Sequence, residues 1–155
     1  LIKTIQKFNG LKYRQQIIFK RKYLTIINDS KSTSFSSSVG LLKRKDNIYW
    51  ILGGIYKKGD KLKLSKKYFN HIKAFVYGKN KKFFNKTLKG KVNFKNFDSL
   101  KKATAEVFKI IKKQKYIHKT ILFSPCAASF DSFKNFEERG LYFNNLIKRH
   151  VDGKL

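Results

Sequence analysis

Short apolar, β-branched runs alternate along this chain with lysine-rich stretches whose apolar residues recur at helical spacing. Gln15 to Phe19 and Tyr23 to Ile27, parted by Lys20, Arg21 and Lys22, predict an opening hairpin. Ser36 to Lys43 reads as a helix, and Ile48 to Leu52 as a buried strand running into the glycine turn Gly53-Gly54. Ile72 to Tyr77 predicts a strand, Lys79 to Leu88 a helix and Lys91 to Phe94 a short strand. Asp98 is expected to cap a helix in which Leu100, Ala103, Val107, Phe108, Ile110 and Ile111 form an apolar stripe. Ile121 to Phe123 is a last strand. The loop after it holds the only proline and only cysteine, and a helix starting around Phe133 and Phe136 runs to about Arg149. Such alternation predicts one α/β domain, a mostly parallel, doubly wound sheet flanked by helices, with an N-terminal β-hairpin and no repeat or linker.

Composition narrows the class. At 155 residues and 41% hydrophobic, the chain can bury its own core and is not a disordered tail. No apolar run approaches the roughly 20 residues of a spanning helix, and Leu1 to Gly10 is too polar for a signal peptide. A soluble, cytoplasmic monomer with no membrane partner is expected, and the single cysteine agrees with a reducing compartment. Methionine is absent, so the chain is expected to be a piece of a longer polypeptide.

The net charge of +28 would bind any polyanion, which makes a basic nucleic-acid-binding module of ribosomal type the alternative function. Arginine, the better fork for phosphate and base edges, occurs only at positions 14, 21, 44, 139 and 149. The lysines are scattered among abundant Asn, Ile, Phe and Tyr, the set that an A/T-biased coding sequence supplies, so no specific nucleic-acid partner is expected.

Metal chemistry has little footing, because His71, His118 and His150 lie far apart without cysteine or carboxylate at ligand spacing. Cys126 has no histidine placed to activate it and reads as a small buried filler. Gly54 to Gly59 has the glycine spacing of a phosphate loop. Asp60 and Lys61 follow where Lys and Ser/Thr are needed, however, and a carboxylate there repels phosphate. Asp29 to Thr33 lies just past a strand's carboxyl end, where open α/β folds bind ligands. Ala127, Ala128 and Ser129 allow close backbone approach, and free amides of the helix beginning near Phe136 favour an anion.

Four of these stretches, in order, also carry a resemblance. Ser-Pro-x-x-Ala-Ser-Phe-Asp-x-Phe-Lys-Asn-Phe-Glu-x-Arg-Gly from Ser124 to Gly140 resembles the closing motif of the D-glutamate-adding ligases of the Mur ligase family. Phe8 to Arg14 resembles their Phe-x-Gly-Leu-x-His-Arg, with Tyr13 in place of histidine. Asn28-Asp29-Ser30-Lys31-Ser32-Thr33 is similar to the second motif, with Ser34 where Asn usually follows. Leu52-Gly53-Gly54 with Lys57 and Asp60 is similar to the third. The Asp-Asn-Pro-Arg motif of the ligases that add diamino acids is absent.

The resemblance, spanning roughly Phe8 to Lys148, implies a Rossmann-like C-terminal domain, with N-terminal UDP-binding and central ATPase domains missing from residues 1–155. It implies ATP, Mg2+ held mainly by the missing central domain, UDP-N-acetylmuramoyl-L-alanine and D-glutamate as the reaction's components. By motif position Thr33, Lys57, Ser129, Phe130 and Phe136 would hold D-glutamate, Arg14 and Asp29 would touch the nucleotide, and Lys31 would be the catalytic cation near the transferred phosphate. D-glutamate is a dianion, so a site for it needs two carboxylate cradles, expected to converge in one cleft. The domain alone is expected to be inactive.

Overall fold

The computed structural model describes residues 11–44 and 46–152. Phe8 to Gly10, the first three of the seven residues of the first motif, lie outside the described residues. Six strands form one sheet in the order β1-β2-β6-β3-β4-β5: β1 (Gln16–Arg21), β2 (Leu24–Asn28), β3 (Asn47–Gly53), β4 (Ile72–Tyr77), β5 (Asn93–Phe97) and β6 (Lys119–Phe123). Only β1 pairs antiparallel; every other neighbour is parallel. The helices are α1 (Phe35–Leu42), α2 (Lys81–Leu88), α3 (Leu100–Ile111) and α4 (Phe136–Asp152).

The central strands β2, β3, β4 and β6 are buried along nearly their whole length because both of their faces are covered. Along β3, Ile48, Trp50 and Leu52 join α1 and α2 in one core layer, with Phe35, Phe84 and Leu88. Tyr49 and Ile51 point the other way, into a second layer with Val107 and Phe108 of α3 and Phe143 and Ile147 of α4. The sheet is therefore doubly wound, as the alternation of elements predicts.

Four local expectations are corrected. Ser99, not Asp98, is the N-cap of α3: its Oγ accepts from the Lys102 amide at 3.2 Å. Asp98 instead pairs with Lys81 and Lys102 at the surface. Helix α2 begins at Lys81, two residues later than expected, and β5 extends to Phe97. Phe133 lies in the turn before α4, where its amide bonds the Ser129 carbonyl at 2.9 Å.

Parallel pairing puts the carboxyl ends of β2, β3, β4 and β6 at one edge of the sheet. The chain leaving β3 runs on to β4, whereas the chain leaving β6 turns back through α4, which packs on β2. Connections diverging in this way open a crevice at the strand ends, the usual ligand position in such folds.

Candidate functional site

Asp29, one residue past β2, is buried with both carboxylate oxygens engaged. Oδ1 accepts from the Gln15 amide at 3.0 Å and Oδ2 from the Ser124 hydroxyl at 2.7 Å. Burial pushes its pKa up, against these bonds and the nearby Arg14 charge. The segment before β1 is thereby fastened across the ends of β2 and β6. It is also bent: Tyr13 at φ 63° and Gln15 at φ 45° occupy the left-handed region, uncommon for residues with a Cβ. Tyr13, standing where the family has histidine, accepts the Lys31 amide on its carbonyl at 2.9 Å and lays its ring on Gly140 of α4. Arg14, Asp29 and Lys31 line one cleft of about 310 Å3, together with Leu11, Gln15, Ser32 and Ser37.

Lys31 reaches from that cleft to the start of α4, its Nζ 4.0 Å from the centre of the Phe136 ring. The Phe136 carbonyl accepts from Ser30 Oγ at 2.8 Å. Arg14, Asp29, Lys31 and Phe136 thus belong to one connected group. Lys57 lies in a neighbouring cleft of about 640 Å3 with Ser34, Ser36, Asp60 and three further lysines. The end of the loop after β2 and the first turn of α1 line both clefts, Ser32 and Ser37 on one side and Ser34 and Ser36 on the other, and Thr33 stands exposed between them, lining neither.

Ser129 is buried on the loop after β6, and Phe130 beside it is 71% exposed. This loop is held against the Lys57 loop by paired backbone bonds between Ile55 and Ala128, at 3.0 and 2.9 Å. Gly54 permits that approach, since a Cβ on it would lie 2.5 Å from the Ala128 carbonyl oxygen. Thr33, Lys57 and Ser129 therefore stand at the same edge of the sheet on three successive loops. The clefts of Lys57 and of Arg14 both leave out Thr33 and Ser129, so neither of these two brings together the three residues expected to converge.

Two functional placements escaped the sequence reading. Asp60 caps α1 from 25 residues away, its Oδ2 accepting the Phe35 amide at 2.8 Å, which accounts for a carboxylate that a phosphate loop would exclude. Arg139 is buried to 1% exposure in α4 and grips Ser30 twice, Nε to Oγ at 3.1 Å and Nη2 to the carbonyl at 2.7 Å. Desolvation lowers its pKa, and Tyr77 and Asp131 oppose the shift. The signal was present: Phe136, Arg139, Gly140, Phe143, Leu146 and Ile147 share the inward helical spacing, so Arg139 occupies a core position.

Cys126 is buried, its thiol bonded with Ser38 and its pKa pushed up to about 12, mainly by burial. No cluster of three or more His, Cys, Asp or Glu side chains fit for a metal occurs among the described residues. Nor is any described helix long and apolar enough to cross a membrane.

No protein-family model matches the chain. Among curated relatives, the UDP-N-acetylmuramoylalanine–D-glutamate ligase of Rickettsia felis is 40% identical over 153 residues, covering 98% of this chain and 34% of the ligase. The same-named protein of Rickettsia prowazekii is 40% identical over 151 residues, 97% of this chain and 34% of its own length. That of Rhodospirillum rubrum is 32% identical over 147 residues, 95% of this chain and 31% of its own length. The chain thus spans about a third of the length of the curated relatives it matches. Among solved structures, the MurF ligase of Thermotoga maritima in complex with ADP superposes with a TM-score of 0.57 at 13% identity, over 96% of this chain and 33% of that one, a likeness of fold. With a mostly parallel sheet, four motifs in order and 40% identity over nearly its whole length, the chain belongs to the UDP-N-acetylmuramoylalanine–D-glutamate ligase family, matching the C-terminal part of its members.

Proposed function

We propose that this chain is the D-glutamate-binding domain of an ATP-dependent ligase that joins D-glutamate to UDP-N-acetylmuramoyl-L-alanine, working with an N-terminal UDP-binding and a central ATPase domain. The observation that carries the reading is that the described parts of the four motifs fall on loops and a helix start at one edge of the sheet. In the full reaction the L-alanyl carboxylate attacks the γ-phosphorus of ATP, releasing ADP and leaving an acyl phosphate. The D-glutamate amine then attacks the acyl carbon, forms a tetrahedral intermediate, expels phosphate and loses a proton.

This domain's part is to bind and orient. Lys57, Thr33 and Ser129 receive the two carboxylates of D-glutamate, aided by the backbone at Phe136 and flanked by Phe130. Arg14 and Asp29 meet the nucleotide, and Lys31 offsets negative charge near the transferred phosphate, a form of charge stabilisation worth several kcal/mol of barrier in comparable sites. The loops of Lys57 and Ser129 are already joined by the Ile55–Ala128 backbone bonds, which holds these two contributors to the D-glutamate site side by side. ATP and Mg2+ belong to the central domain, whose site this domain closes in the cytoplasm. The relatives reported above are ligases by name, and the nucleic-acid alternative gains no support from them.

The test is a chimera in which this chain replaces the C-terminal third of the Rickettsia felis ligase. ATP-dependent phosphate release that requires D-glutamate supports the reading, and Lys57→Ala is expected to raise the D-glutamate KM more than tenfold with little change in the KM for ATP. An unchanged D-glutamate KM would remove Lys57 from the site, and a folded chimera without ligation would remove the function.

A further inference from the structure

The opposite edge of the sheet, where β2 and β6 begin, has no part in the site described above. There the β1–β2 turn and the loop after α3 enclose a cavity of about 670 Å3 with an apolar floor of Phe19, Leu24 and Ile111. Its size falls within the roughly 300–1,000 Å3 of pockets that accept small ligands or lipid chains. Arg21, Lys22, Lys112 and Lys115 rim it; all four are exposed, and none is in an ion pair among the described residues.

The loop beside the cavity carries two bare apolar side chains at its tip, Tyr116 at 80% and Ile117 at 50% exposure. It is firmly held. Buried Lys119 donates to the carbonyls of Gln114 and Ile117, and the Tyr116 ring meets Tyr23 edge-on at 6.0 Å. Asp46, the carboxylate nearby, is engaged by Arg44 and by the Thr120 hydroxyl.

From this we infer that the β1–β2 turn and the Lys112–His118 loop form a docking surface for a bilayer containing anionic phospholipid. Tyr116 and Ile117 enter the interface, and the ring of cations meets the headgroups. Aromatic and aliphatic tips ringed by Lys and Arg are what an interfacial anchor needs: apolar area to insert and positive charge to hold the anionic surface. A polyanion such as RNA would use the cations and could stack on Tyr116. It would leave Ile117 and the apolar cavity floor without a function. The surface also faces away from the candidate site, so both can be occupied at once.

The test uses the 155-residue chain with vesicles of phosphatidylcholine and phosphatidylglycerol in equal amounts. Any chain of this charge binds them to some degree, so the decisive variant keeps the charge: Tyr116→Ser with Ile117→Ser. Both side chains are exposed, and the variant keeps its fold, checked by thermal melting. Its partition onto the vesicles is expected to fall about tenfold from the lost apolar insertion. The same change at an exposed apolar residue elsewhere, Leu141→Ser, is expected to leave binding unchanged. In a Tyr116→Trp variant, vesicles should shift the emission to the blue and brominated lipid should quench it, against a background from Trp50 that is constant because Trp50 is buried. Equal partition of the double variant and the parent would overturn the proposal. So would an emission that vesicles leave unmoved while an RNA oligonucleotide quenches it.

Discussion

Helix α4 contains a glycine where alanine would be better by about 1 kcal/mol on helix propensity alone. The ring of Tyr13 explains Gly140, because a Cβ there would sit 2.6 Å from Cγ and 2.8 Å from Cε1 of that ring. Tyr13 cannot easily give way, being held by its amide to Gln16 at 3.1 Å and by its carbonyl to the Lys31 amide. Gly140→Ala should gain the propensity term and lose about 2–3 kcal/mol to overlap with three ring atoms, a net destabilisation of roughly 1–2 kcal/mol. For a chain of this size that lowers Tm by roughly 3–6 °C. In a Tyr13→Gly background the obstruction is gone and the left-handed backbone is kept without strain, so the same Gly140→Ala change should stabilise by up to about 1 kcal/mol. The coupling between the two sites is then about 2–3 kcal/mol. Urea unfolding of the four proteins, with an unchanged slope, measures it directly. A shift of the same sign in both backgrounds would refute the reasoning, whatever its size.

Three other outcomes follow from the same geometry. Arg139→Met removes the donors to the Ser30 carbonyl and hydroxyl within the core and should cost about 2–4 kcal/mol, read as a lower urea midpoint. Asp29 has its folded pKa raised above the ordinary 3.8, so the folded state holds the proton more tightly and the carboxylate lowers stability as pH rises through that interval. Asp29→Asn, whose amide can donate to Ser124, should therefore gain stability relative to the parent from below pH 3.8 upward and level off once the parent is ionised; a flat difference would contradict the assignment. The Cys126 thiol, buried and pushed up to about 12, should resist a disulfide reagent at about pH 8 in native buffer and react at once in denaturant.

The elements that sequence displayed most clearly are those whose pattern has one physical cause. β3 and β4 are apolar on both faces because helices cover both, and α3 shows its stripe because one side faces the sheet and the other water. Their ends were less legible. A hydroxyl at Ser99 and a carboxylate at Asp98 are both capable caps, and the choice fell to Ser99 because Asp98 had two lysines within reach. Contacts between distant segments were not legible at all. Nothing local to Asp60 names the Phe35 amide, and Arg139 was visible as a charge at an inward position without any sign that its partner would be Ser30. The candidate site divides in the same way. Strand-end positions of the candidate residues could be read from the alternation of elements, while the separation of Lys57 from the cleft of Arg14, Asp29 and Lys31 depends on how loops pack, which spacing does not encode.

The bonds from Asn28 and Ser30 to α4 carry a consequence for assembly. The Asn28 side chain donates to Gly140 and Asn144, and Ser30 is held by Phe136 and Arg139, so the turn after the second strand takes its polar partners from the final seventeen-residue helix. On a ribosome that turn must wait, unfinished, until α4, more than a hundred residues further on, has emerged. Cut at the exposed bend before Phe136, the two fragments would each lack what the other owns, and mixing them should restore a shape that neither reaches alone.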